Sequence, residues 1–156
     1  MLIRRFEESD AESVSELIVR TLKISNSADY SPEALEEVIT RQTPEDILQK
    51  SRFTHFYVVE AECGEIIGCG AIGPYWDRDD ESSLFTIFVS PEMQGRGVGR
   101  LIVDTLEKDE LFLKSKRVEI PASITGLGFY LKMGYDYKNG VKTPDKEGLF
   151  RLEKHG

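Results

Sequence analysis

The chain reads as one mixed α/β domain, and three observations carry that reading. Short β-branched and aromatic runs alternate with capped segments of helical periodicity, the pattern of strands and helices layered on a single core. One strand-like run, Leu84 to Val89, feeds through Ser90-Pro91 and a glycine-rich turn into an apolar helical stripe at Leu101, Ile102, Val103 and Leu106. The 156 residues, 40% of them apolar and 31% charged, suit one domain (1–156) with a proper core. There is no repeat, low-complexity tract or linker to divide it.

Leu2 to Phe6 reads as a short strand. Ser9-Asp10-Ala11-Glu12 then offers a helix start, with Val14, Leu17, Ile18, Thr21 and Leu22 at helical spacing until the turn-rich Ser25-Asn26-Ser27. Ser31-Pro32-Glu33 opens a second helix, Ser31 as N-cap and Pro32 at the first helical position, with Leu35, Val38 and Ile39 as its stripe. Thr43-Pro44-Glu45-Asp46 repeats that logic for a third, shorter helix through Ile47 and Leu48. Thr54 to Ala61 and Ile66 to Ile72 form a hairpin around Glu62-Cys63-Gly64-Glu65, and Gly68, Gly70 and Gly73 point to bulges or a bend. A charged loop, Trp76 to Glu81, leads into the central strand. Arg117 to Pro121 is strand-like, and a helix weakened by Gly126 and Gly128 begins near Ser123. Tyr135 to Val141 and Leu149 to Leu152 read as a closing pair of strands.

The net charge of −8 argues against nucleic acid, whose phosphates call for a basic surface. The acidic residues from Asp77 to Glu81 lean towards a cationic acceptor. No apolar run approaches membrane-spanning length, and MLIRRFEESD has no signal-peptide architecture, so no membrane partner and a cytoplasmic location are expected. Two cysteines and two histidines are too few for a structural zinc site, and no metal is expected. Self-association into a homodimer stays open.

The turn Gln94-Gly95-Arg96-Gly97-Val98-Gly99 carries the clearest chemistry. Glycines clear side chains from the main chain, and the first turn of the following helix offers unpaired N–H groups to an anion. Arg96 and Arg100 add positive charge. No Gly-Lys-Ser/Thr follows as a P-loop requires, and a dinucleotide frame from Gly95 would need glycine where Arg100 stands. What the stretch resembles is the Gln/Arg-x-x-Gly-x-Gly/Ala signature of GCN5-related N-acetyltransferases (GNAT), filled by Gln94, Gly97 and Gly99. Phe129-Tyr130-Leu131-Lys132-Met133-Gly134-Tyr135 resembles a second segment of that family, in the right order and at the right separation.

The resemblance implies a GNAT fold: a mixed, mostly antiparallel central sheet of six to seven strands flanked by about four helices. It implies acetyl-CoA as donor, its diphosphate wrapped by the turn, and a primary amine of a small molecule or protein as acceptor, attacking directly in a ternary complex. Phe88 and Val89 are implied beside the thioester, with a main-chain N–H near Val89 to polarise its carbonyl. Tyr130 takes the place of the group that protonates the departing thiolate; a phenol is a weaker acid than a thiol, so full transfer is uphill by about 2 kcal/mol and a hydrogen bond to sulfur fits better. The plainer alternative for Tyr130 is an aromatic on a buried helix face. For the base that frees the amine, Glu81 is the nominal candidate, with Asp80 and Glu119 the other nearby carboxylates. Ser123 stands where many relatives carry Asn, either touching the cofactor or capping the helix, and Phe129 serves either cofactor or core. A catalytically silent acyl-CoA-binding module is the rival reading.

Overall fold

The computed structural model describes Met1–Gly156. A seven-stranded sheet in the order β1-β2-β3-β4-β5-β7-β6 forms the middle layer. Its strands are β1 (Leu2–Arg5), β2 (His55–Glu60), β3 (Ile66–Pro74), β4 (Glu81–Val89), β5 (Arg117–Ala122), β6 (Asp136–Tyr137) and β7 (Phe150–His155). Every pairing is antiparallel except β4 with β5.

Three helices cover one face of β2 to β4: α1 (Ala11–Ser25), α2 (Pro32–Thr40) and α3 (Pro44–Phe53). Their N-termini are set by local chemistry. Ser31 Oγ accepts from the Ala34 N–H, and Thr43 and Asp46 form a reciprocal capping box. Val14, Leu17, Ile18 and Leu22 of α1 meet Ile47 of α3 over Phe56, Val58, Cys69 and Ala71. The opposite face carries α4 (Val98–Leu106), α5 (Glu110–Lys114) and α6 (Leu127–Lys132). There Ile102, Val103 and Leu106 pack with Ile72, Leu84, Val118, Ile120 and Leu152. Burying such side chains contributes about 1.5–3 kcal/mol each, so the two clusters clamp the sheet between helix layers.

Several elements differ from the sequence-based expectation. α3 has ten residues against nine for α2, so it is the longer of the two. The glycines of β3 answer to packing as much as to bending: a Cβ on Gly70 would lie 2.5 Å from Ile102 Cγ2, so only glycine lets α4 lie this close. α5 was not foreseen; Asp109 caps it by accepting from the Leu111 N–H at 2.8 Å. α6 starts at Leu127 rather than near Ser123. The strand expected over Tyr135 to Val141 shrinks to Asp136–Tyr137, because Asn139 (φ 55°) and Gly140 (φ 71°) turn the chain out of extended geometry. No helix is long and apolar enough to cross a membrane.

Candidate active site

β4 and β5 are hydrogen-bonded only where Glu81, Ser82 and Ser83 face Arg117, Val118 and Glu119. Beyond that point they part, and a cavity of about 760 Å³ opens between them, walled also by the end of α1, the start of α4 and the β5–α6 connection. On its other side β4 carries a bulge. Cys69 faces Phe88 while Ala71 faces Phe85, so β4 holds one residue more than β3 across this interval. Thr86 takes up the slack at φ 57°, a left-handed conformation that is costly for a β-branched residue. Past the bulge, the Ser90 N–H donates to Ile67 O at 2.8 Å. Alternation along a strand therefore turns the N–H and C=O of Val89 the other way, into the gap. Gln94 Nε2 accordingly reaches Val89 O at 3.2 Å, and it also donates to Ser25 Oγ at 2.9 Å. Gln94 thus ties the turn to both β4 and α1.

The glycine turn enters α4 through Gly97, which serves as N-cap at φ 85° and offers no side-chain cap. A Cβ at Gly95 or Gly97 would meet nothing within 4 Å, so the surface there is bare main chain facing open space. The first helical bond is Leu101 N–H to Gly97 O, which leaves the N–H groups of Val98, Gly99 and Arg100 outside the ladder. Gly95, Gly97, Gly99 and Arg100 line the cavity. Arg96 is exposed outside that lining, and the Val98 side chain is buried in the core, so its offering at the site is its backbone N–H. This cradle suits a diphosphate: donors, no Cβ in the way, and the positive end of a helix.

The other predicted positions fall on the same cavity. Phe88, Val89, Ser123, Phe129 and Tyr130 all line it. Tyr130 is 8% exposed, and burial pushes its phenol above the ordinary tyrosine value. Its hydroxyl is not among the sealed polar atoms left without a partner, so it reaches the cavity space. The Tyr130 ring is seated by its neighbours: Phe129 meets it edge-on at 5.3 Å, and a Cβ on Gly126 would sit 3.1 Å from its Cε2. Ser123 Oγ accepts from the Gly126 N–H at 3.2 Å, capping the turn before α6 while still lining the cavity.

Glu81 stands apart. It lies at the start of β4, outside the cavity lining, and its Oε1 accepts from Arg117 Nε at 3.1 Å. Arg117 also binds Glu119 and Glu153 at 3.0 Å each, and Glu119 takes Lys138 at 2.8 Å. Asp80 pairs with Lys116 at 2.7 Å. Asp80 and Glu81 are thus paired on a separate surface, and no residue from Asp77 to Glu81 lines the cavity, so its lining gives no support to the leaning towards a cationic acceptor drawn from sequence. Lys50 was passed over. Its ammonium lies 3.0 Å from Thr86 Oγ1 on the cavity wall. The available signal was its place three residues after Ile47, on the inward stripe of α3.

Comparison with known proteins bears on this geometry. The PaiA N-acetyltransferase of Thermoplasma acidophilum, solved in complex with coenzyme A, shares the fold at a TM-score of 0.82 and 19% identity, over 99% of this chain and 98% of that one. Rv2747 from Mycobacterium tuberculosis, in complex with CoA and NLQ, superposes at a TM-score of 0.71 with 19% identity, over 99% of both chains. An amino-acid acetyltransferase of Mycobacterium tuberculosis is 30% identical over 93 residues, covering 54% of this chain and 52% of its own length. The chain thus spans about half the length of that curated relative. Residues 52–137, from the end of α3 to β6, match the acetyltransferase (GNAT) domain family. That segment holds the splayed strands, the bare turn and Tyr130, and by this match the chain belongs to the GCN5-related N-acetyltransferase family.

Proposed function

We propose that the protein is an N-acetyltransferase that moves the acetyl group of acetyl-CoA to a primary amine, by direct attack in a ternary complex. The observation that carries this reading is convergence: a bare helix N-terminus, an outward-facing strand N–H and a buried phenol open onto one cavity. Acetyl-CoA supplies an activated thioester carbonyl. The N–H groups of Val98, Gly99 and Arg100, with the Arg100 guanidinium, hold the diphosphate. The Val89 N–H polarises the thioester oxygen; losing one such donor in other enzymes costs about 100-fold or more. Tyr130 keeps its proton, since burial raises its pKa, and is therefore a donor to the sulfur that departs. Glu81 is assigned no step, because Arg117 holds it outside the cavity. The named activity of the curated relative supports an amine acceptor. Two unbridged cysteines, Cys63 and Cys69, accord with a reducing compartment such as the cytoplasm.

The test couples calorimetry with CoA to thiol release from acetyl-CoA over an amine panel. Tyr130→Phe is expected to lower kcat about 100-fold with CoA affinity unchanged. An unchanged kcat removes Tyr130 from the chemistry. CoA binding without turnover of any amine leaves a binding module, and absent CoA binding refutes the reading entirely.

A further inference from the structure

The cavity has a charge pattern of its own. None of its 25 lining residues is an aspartate or glutamate, and its cations are Arg100, on the glycine turn, and Lys132. Asp29, at the rim, is engaged by Thr125 Oγ1 at 2.7 Å and by Asn26 Nδ2 at 3.0 Å. Next to that lining, though not part of it, lies Lys50. It projects from α3 to donate to Thr86 Oγ1 at 3.0 Å, and Thr86 is the bulged residue that lines the cavity.

This lysine lacks what a half-buried ammonium ordinarily has. It forms no ion pair with any carboxylate, and Asp46, one turn earlier on α3, is committed to Thr43 through the capping box. A buried charge without a counter-ion is costly, and burial accordingly holds its pKa below that of an ordinary lysine. One of its three donors meets a neutral hydroxyl. The residue receiving that bond is itself held at φ 57°. A strained β-branched residue and an unpaired ammonium meeting at a cavity wall make an arrangement that a bound anion would complete.

Building on the acetyltransferase reading, we propose that Lys50, held against Thr86, receives a carboxylate of the acceptor, so that the acceptor is a small amine bearing a carboxylate, in the simplest case an amino acid. The same ammonium disfavours a second positive charge nearby, which works against polyamines and helps keep the attacking amine neutral.

The experiment compares L-amino acids with their carboxamides and with carboxyl-free amines, in the wild-type protein, Lys50→Met and Lys50→Arg. The readout is thiol release, with CoA calorimetry as the check on an intact donor site. The wild type is expected to favour the acid over its carboxamide by about 10- to 100-fold in kcat/KM, the scale of a charge-assisted hydrogen bond. Lys50→Met should raise KM for the acid by that factor, leave kcat and the carboxamide unchanged, and be partly rescued in Lys50→Arg. Carboxamides, polyamines or peptide N-termini used as well as free acids overturn the proposal and leave the acetyltransferase reading intact. So does a Lys50→Met protein that matches wild type on acids. Loss of transfer to every amine, or of CoA binding, falls instead on the acetyltransferase reading and carries this proposal down with it.

Discussion

Replacing Arg117 with methionine removes the one guanidinium that three carboxylates share. Its nitrogens lie 3.0–3.1 Å from Glu81, Glu119 and Glu153, and its plane covers the Tyr75 ring at 4.7 Å. The setting decides the magnitude. Exposed ion pairs contribute about 0–1 kcal/mol, whereas removing one partner of a buried pair costs about 3–5 kcal/mol. The side chain of Arg117 is 11% exposed and that of Glu119 3%, which places the loss in the second class. Glu119 keeps Lys138 at 2.8 Å, so the lower end, about 3 kcal/mol, is expected. In a chain of this size that lowers Tm by about 6–12 °C. Urea unfolding at neutral pH measures it. CoA affinity should not move, because the cluster lies outside the cavity. A loss below about 1 kcal/mol would mean that the cluster behaves as solvated surface, and the argument from burial would fail. Glu81→Gln extends the test: an ion-pair role predicts lower stability with the acidic limb of the pH–rate profile unmoved, and a shifted limb would restore Glu81 as a base.

Gly97→Ala places a Cβ where nothing lies within 4 Å, so its cost comes from φ 85° alone, about 1–2 kcal/mol. Relaxation of the turn should weaken CoA about tenfold by calorimetry, and unchanged affinity would show that the turn does not hold the donor. At Asp109, burial pushes the carboxyl pKa up, but bonds from Tyr57, the Leu111 N–H and His55 outweigh it, and the net value lies below the ordinary range. A depressed folded pKa makes this contribution complete above the unfolded value, near 4, and lost as pH falls through the folded one. Asp109→Asn should therefore lower stability by about 1–3 kcal/mol at neutral pH and flatten the acid side of the stability curve; an equally steep acid side would refute it.

What the sequence disclosed and what it hid divide by range. Ser31-Pro32 and Thr43-Pro44 set helix starts through contacts three residues away, and both appear at the expected places. The bare turn from Gln94 to Arg100 was readable for the same reason, since it is made of consecutive main-chain groups. The role proposed for Tyr130 rests on resemblance, because a buried aromatic on a short helix looks the same whether it packs or donates. The Arg117 cluster draws partners from β4, β5 and β7, and strand register across a sheet is not written in any local pattern. β6 was overextended because Tyr135 to Val141 keeps strand-like composition while Asn139 and Gly140 take left-handed geometry.

The parting of β4 and β5, on which the cavity depends, has one cause on each strand. Had the parallel pairing continued past Ser83 and Glu119, Leu84 would face Ile120 and Phe85 would face Pro121. Pro121 has no N–H to give, so the ladder loses a donor two steps beyond its last pair. On β4 the bulge follows at once: Thr86 turns left-handed, and the strand rotates before its backbone could rejoin β5. The proline was visible in the sequence, but the bulge was not, because Thr86 is an ordinary strand residue by composition. Either feature alone leaves a repairable gap, since a missing donor can be bridged and an edge bulge tolerated. Together they hold the strands apart, leave the Val89 N–H facing the cavity, and bring Thr86, on the cavity wall, against Lys50 beside it. The strain at Thr86 is thus placed where the opening begins, and relieving it by closing the bulge would also withdraw the wall that Lys50 supports.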